Sequence, residues 1–216
     1  MTVSAEFPEL HKADGSACWK TDVTEVICSV AGPIEVKQRD ELPGEAALEP
    51  VIGKLKADNI DTREKLMERL VRKAIAPIIL VDQHPRTLIQ IVCQVISVGA
   101  PDCLGMPLVL AAALNATCLA LIDAGISLDS TISATAIALS ADGVISENPD
   151  KTALLNAKST HVVCYNVQDR AVFSESNGSF SWDEFSLCLR QARGFCLKSH
   201  ELMYERLTKK ISTDIR

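Results

Sequence analysis

Residues 103–122 carry no charge, and apolar side chains fill nearly every position. A helix built from such a stretch has no polar face to offer water, so it either crosses a membrane or lies buried on most sides. Its length is close to that of a membrane span, about 20 residues. Yet it contains Gly105, Pro107, Asn115 and Thr117, and no Lys or Arg stands near either end. The basic flanks that anchor a span at the bilayer surface are missing. We read a buried core helix over 108–124, with Gly125 placed to end it. The whole chain has 216 residues, 47% of them hydrophobic and 23% charged. That balance and length suit one globular domain over 1–216 with a proper core. Aromatic residues are only 4% of the chain, so the core is expected to be Leu, Ile, Val and Ala.

The rest of the chain alternates strand and helix patterns. Residues 24–31 are rich in Val, Ile and Cys and read as a strand that stops at Gly32-Pro33. Residues 37–45 are too charged and broken for a buried element, and 46–53 resume the sheet. Asp61 with Glu64 has the spacing of a capping box. Leu66, Met67, Leu70, Val71 and Ala74 follow at helical spacing, and Pro77 lies near the helix end. Residues 87–98 read as a central strand. Further strands are expected over 131–139, 160–167 and 171–174, with turns at Ala141-Asp142-Gly143 and Asn177-Gly178. Ser181 with Glu184 forms a second capping box and opens a long helix over 182–212. This order predicts a mixed α/β or α+β fold.

Eight cysteines stand in the chain, none as Cys-x-x-Cys, and no His pair has zinc-finger spacing. Residues 1–10 lack a basic region followed by an apolar one and do not read as a signal peptide. Cysteines in apolar surroundings, such as Cys28 and Cys93, are expected to stay reduced in an intracellular compartment. Glycine-rich phosphate loops, Gly-x-Ser-x-Gly and His-Glu-x-x-His are all missing from the sequence. The four histidines, at 11, 84, 161 and 200, are scattered and read as structural.

The charge distribution limits the chemistry. No Lys, Arg or His occurs between Thr87 and Asp150, and no Asp or Glu between Lys151 and Gln168. The first window offers no cationic phosphate clamp, and the second no carboxylate for metal binding or acid–base work. The net charge of −6 argues against a protein that coats nucleic acid, but not against a local basic groove. Lys54 and Lys56 precede the first helix, Arg63 opens it, and Arg86 precedes the central strand. Loops are where contacts concentrate, so Lys54, Lys56 and Arg63 are the candidate RNA-backbone contacts, and Arg86 joins them as a residue that could face a partner's substrate. The basic residues farther along the first helix and on the last helix read as solvated faces with local ion pairs.

Several phrases resemble the RNase PH family when taken in order. Asp14-Gly15-Ser16-Ala17 and Thr24-x-Val26-x-Cys28-x-Val30-x-Gly32-Pro33-Ile34-Glu35 match its opening. Arg63-Glu64-Lys65 and Pro85-Arg86-Thr87-x-Ile89 resemble its first helix and following strand. Asn115-Ala116 with Ala120-Leu121-Ile122-Asp123-Ala124-Gly125-Ile126 resembles its buried helix. Within the family the chain is most similar to a fungal, non-catalytic ring subunit of the eukaryotic RNA exosome core. The resemblance implies two βαβ-like halves packed on each other in an RNase PH-like α+β fold. It also implies a hexameric ring of RNase PH-like subunits, a cap of subunits with S1 and KH domains, threaded single-stranded RNA and a separate 3′→5′ exoribonuclease. It implies no cofactor, no metal and no membrane, and a place in nucleus, nucleolus and cytoplasm.

Active members carry an Arg-containing phosphate site at the start of the buried helix, where this chain reads Pro107-Leu108-Val109-Leu110-Ala111-Ala112. They also carry aspartates at the approach to a late strand. Residues 151–160 have none here, and Ala153 and Ser159 are the best matches to the vacated positions. Phosphorolysis needs an anion site and a proton donor or metal ligand. The expectation is a structural subunit that guides RNA and has no catalytic residues. The alternative is an active phosphorolytic 3′→5′ exoribonuclease, with a site completed by a partner.

Overall fold

The computed structural model describes residues 3–37, 41–54, 62–100 and 104–214. The uncharged stretch forms α2 (Met106–Asp123), and its side chains from Leu108 to Leu121 are all buried. Two sheets supply the cover. The first has the order β1-β2-β3-β5-β4, from β1 (Val3–Glu6), β2 (Gly15–Thr21), β3 (Thr24–Glu35), β4 (Ala47–Lys54) and β5 (Thr87–Val98). The second has the order β7-β6-β8-β9, from β6 (Ile132–Ser140), β7 (Ile145–Glu147), β8 (Ala157–Asn166) and β9 (Ala171–Gly178). The helix packs against β2, β3 and β5 on one side and β6 and β8 on the other. One core therefore joins both halves, with Cys28, Ile91, Leu114, Ala134 and Val162 among its buried members.

The first half holds a βαβ unit: β4 and β5 are parallel, and α1 (Thr62–Ile75) makes the crossover. Met67, Leu70, Val71 and Ala74 of α1 are buried as their spacing predicts, whereas Leu66 is 40% exposed and faces a cleft. Asp61, the expected capping residue, lies outside the described residues. In the second half every strand pair is antiparallel. The long α4 (Trp182–Asp214) covers that sheet on the face away from α2, burying Cys188 and Ala192 against Ile137 and Val163. Its capping box forms in full: Ser181 N–H donates to Glu184 Oε2 (2.7 Å) and Glu184 N–H to Ser181 Oγ (3.2 Å).

Two close fits hold α2 in place. A Cβ on Gly15 would stand 2.3 Å from Ala124 N and 2.4 Å from Ala120 O, so only glycine lets β2 run against the end of α2. Gly125, at φ 70°, ends the helix as expected, and Ile126 N–H donates back to Leu121 O (3.1 Å). Inside α2, Asn115 is the one carboxamide. Its Nδ2 donates to Ala134 O (2.8 Å) and its Oδ1 accepts from Ala134 N–H (2.7 Å). β7 pairs only with Ile137, Ala138 and Leu139 of β6. The Asn115 side chain thus stands in for the missing neighbour strand at Ala134.

Three boundaries differ from the sequence expectation. β3 does not stop at Gly32-Pro33 but continues to Glu35 after a register shift between Ala31 and Ile34. Proline is tolerated at such a bulge. The Gly32 N–H there donates to Asp14 Oδ2 instead (2.8 Å). A short helix, α3 (Lys151–Leu155), precedes β8, capped by Asp150, whose Oδ1 accepts from Ala153 N–H (2.8 Å). Asn177-Gly178 lies inside the last ladder of β9, paired with Thr160 and Ser159, rather than in a turn.

Candidate active-site cleft and basic contacts

The start of α2 and the start of β8, the two stretches set against the family's phosphate site and aspartates, face each other across a cleft of about 420 Å³. Alternation along the strands decides what enters it. Thr160 and Val162 of β8, with Glu175 and Asn177 of β9, line the floor. Leu66 of α1, Leu104, Met106, Pro107 and Leu110 of the α2 end, and Leu154 of α3 make the remaining wall. The helix end that would cradle an anion thus presents aliphatic side chains.

Two charged residues do reach this cleft, Lys158 and Glu175. They are far apart in the sequence and meet because β9 lies beyond the acid-free stretch and pairs back onto β8. Lys158 Nζ is bound to Glu184 Oε1 at 2.7 Å, so its charge is already matched. Of the two positions matched to the family's aspartates, Ala153 sits in α3 and its N–H is held by Asp150. That N–H and the Thr152 hydroxyl hold the Asp150 carboxyl below its ordinary range. The Ser159 side chain is buried beneath the start of α4, with Oγ 3.0 Å from His161 Nε2. His161 Nδ1 is 2.8 Å from Ser176 Oγ, and its ring lies edge-on to Phe180 at 4.8 Å. Burial pushes the His161 pKa down. Each ring nitrogen of this histidine is thus held by a serine hydroxyl of the same sheet.

Two of the four candidate RNA contacts, Lys54 and Arg86, stand far apart along the sheet. Lys54 ends β4, opposite Val95 of β5, and its backbone alone is described. Lys56 lies outside the described residues. Arg63 is exposed in the first turn of α1. Arg86 stands just before β5, nine residues ahead of Val95 and so about 30 Å away along the strand. It sits at φ 62° and pairs with Glu41 at 3.3 Å. Lys54 and Arg86 thus belong to opposite ends of the sheet.

The other buried titratable groups are Glu64 of α1 and the thiols. Cys28 and Cys93 face each other across β3 and β5 with Sγ atoms 3.6 Å apart, and Thr117 Oγ1 is 3.3 Å from Cys93 Sγ. Burial raises the Cys118 thiol to about 11. All seven cysteines among the described residues are free and buried. Among the described residues no group of three His, Cys, Asp or Glu side chains is arranged to hold a metal ion.

Comparison with known proteins agrees with this architecture. The RNase PH pattern, described as "3' exoribonuclease family, domain 1", matches residues 2–127, which ends just past α2. The chain is 37% identical over 195 residues to "Exosome complex component RRP46" of Saccharomyces cerevisiae, covering 87% of each chain. It is 31% identical over 204 residues to "Exosome complex component rrp46" of Schizosaccharomyces pombe, covering 91% of this chain and 87% of that one. The crystal structure of rice (Oryza sativa) Rrp46 shares the fold with a TM-score of 0.86 at 24% identity, over 96% of this chain and 94% of that one. With two sheets clasping one buried helix and a family match through that helix, this chain belongs to the RNase PH family.

Proposed function

We propose that this protein is a structural, non-catalytic subunit of the RNA exosome core ring. The observation that carries the reading is the 37% identity to a yeast exosome component, spread over 87% of both chains. In this role the chain joins other RNase PH-like subunits in a ring, beneath cap subunits with S1 and KH domains. It helps to guide single-stranded RNA to a separate 3′→5′ exoribonuclease. Its place is that of such a complex, in the nucleus, the nucleolus and the cytoplasm. The aliphatic wall of the cleft supports the non-catalytic part, since Met106, Pro107 and Leu110 offer no charge to a phosphate.

A second reading has one observation in its favour. Lys158 and Glu175 line the same cleft, and a cation with a carboxylate is the minimum for phosphorolysis. The two readings separate in one assay. The purified chain is incubated with single-stranded RNA, inorganic phosphate and magnesium, and nucleoside diphosphate is measured. The structural reading expects none above background. Phosphate-dependent release that survives repurification and is lost in Glu175→Gln establishes the enzyme instead. Native mass spectrometry of the protein isolated from its own cells tests the assembly. A heteromeric complex of about ten subunits is expected, and a homohexamer would overturn the structural reading.

A further inference from the structure

The two charged side chains of the cleft between α2 and the β8–β9 ladder are not equivalent. Lys158 is bound to Glu184 at 2.7 Å. Glu175, half-buried on β9, makes no hydrogen bond or ion pair among the described residues. Among the described residues the cleft lining therefore carries one uncompensated charge, and that charge is negative. Across the ladder Val162 pairs with Glu175 and Thr160 with Asn177, which sets all four on the floor. The Thr160 hydroxyl and the Asn177 carboxamide have no hydrogen-bond partner among the described residues either. The opposite wall is aliphatic, with Leu66, Met106 and Pro107. Leu66 is the one apolar side chain of α1 that is exposed, so apolar surface is left open toward the cleft.

These features select a ligand. An uncompensated carboxylate attracts a cation and repels a phosphate or a second carboxylate. The aliphatic wall takes an apolar body, and its low dielectric strengthens the pull of Glu175 on a charge bound there. An ammonium has three donors, and the free oxygens of Thr160 and Asn177 accept what Glu175 leaves. A bare metal ion needs several oxygen ligands and would leave the wall unused. The volume of about 420 Å³ lies in the range of small-molecule sites, about 300–1,000 Å³. From this geometry we infer that the cleft binds a small organic cation, a primary ammonium on a compact aliphatic body. The ammonium sits on Glu175 and the body lies against Leu66, Met106 and Pro107. The inference rests on the cleft alone and does not depend on the ring role.

The test uses three probes of one shape. Cyclohexylmethylammonium is the cation, cyclohexylmethanol its uncharged counterpart and cyclohexanecarboxylate the anion. Each is titrated into the isotope-labelled full chain and followed by heteronuclear magnetic resonance. The ammonium is expected to bind in about the millimolar range, with shifts at the amides of Thr160, Val162 and Glu175 and at the methyl groups of Leu66. It should bind about fivefold more tightly than the alcohol, and the carboxylate more weakly than either. Glu175→Gln should remove that advantage and leave the alcohol unchanged. Leu66→Ser, at an exposed position, should weaken the ammonium and the alcohol alike. Added salt should narrow the gap between them. Equal affinity of ammonium and alcohol, an advantage that survives in Glu175→Gln, shifts confined to other surfaces, or no saturable binding would each overturn the inference and leave the ring role intact. Inorganic phosphate that moves the same resonances more readily than the ammonium also overturns it, and favours the phosphorolytic reading. Single-stranded RNA that does so assigns the cleft to RNA and overturns it as well.

Discussion

His161 Nδ1 lies 2.8 Å from Ser176 Oγ, directly across the β8–β9 ladder, and holds the turn that leads into α4. The ring is fully buried, and burial lowers its pKa from the ordinary 6.5. His200, which lies within 3.3 Å of Tyr165 O, is lowered as well, mainly by burial. As pH falls below about 6.5, the unfolded chain takes up these protons before the folded one does. The stability these groups contribute is therefore complete above that value and is lost as pH falls through their folded values. Thermal unfolding at about pH 7.5 and about pH 5.5 should show a drop in stability. That drop should be smaller in His161→Gln, and an identical drop in wild type and variant would refute the assignment.

Asn115→Ala should cost about 3 kcal/mol, because it leaves both the N–H and the C=O of Ala134 without their partner in a buried layer. Since α2 is shared by both sheets, the variant should still unfold in a single transition, detected alike by far-ultraviolet circular dichroism and tryptophan fluorescence. Two separate transitions would show that the halves are independent.

Gly15→Ala forces a methyl group into the backbone at Ala120 and Ala124. Neither neighbour is a flexible side-chain end, so the strain must move β2 or α2 as a whole. A loss of about 3 kcal/mol or more is expected, at the upper end for overpacked cores. Gly44→Ala is the control, since nothing lies within 4 Å of a Cβ at that position. Equal denaturation midpoints for the two variants would contradict the packing described for β2.

The basic residues divide by position. Lys54→Ala, Lys56→Ala and Arg63→Ala together should weaken protection of single-stranded RNA by the assembled complex at low salt. The salt slope should fall by roughly 0.7 for each phosphate contact removed. Arg86→Ala, at the other end of the sheet and already paired with Glu41, should have its own effect, additive with the triple variant. Unchanged protection in the triple variant would make these residues solvated surface only.

Local signals were legible in the sequence, and pairings between distant segments were not. Ser181 and Glu184 were readable because a capping box is complete within four residues. Gly125 was readable because a helix end needs its conformation. Gly32-Pro33 misled because a bulge, and not the strand end, absorbs the proline. The short α3 has one buried side chain, Leu154, and so carries almost no periodic signal. The cleft depends on long-range register. Glu175 comes within reach of the α2 end only because β9 folds back beside β8, and no window along the chain contains both. Arg86 and Lys54 part for the same reason, since their separation is set by the parallel pairing of β4 with β5.

The burial of α2 also sets where this protein can be recognised. Every side chain from Leu108 to Leu121 is buried, so apart from Leu110, which backs the cleft, a partner or an RNA strand touching the surface reads none of them. The middle of the chain determines the shape and is silent about identity. What distinguishes this subunit from another of the same shape must be written on its outer layers, among them the edge of β9 and the outer face of α4. Two such proteins can therefore share nearly the same interior and still take different seats in one assembly.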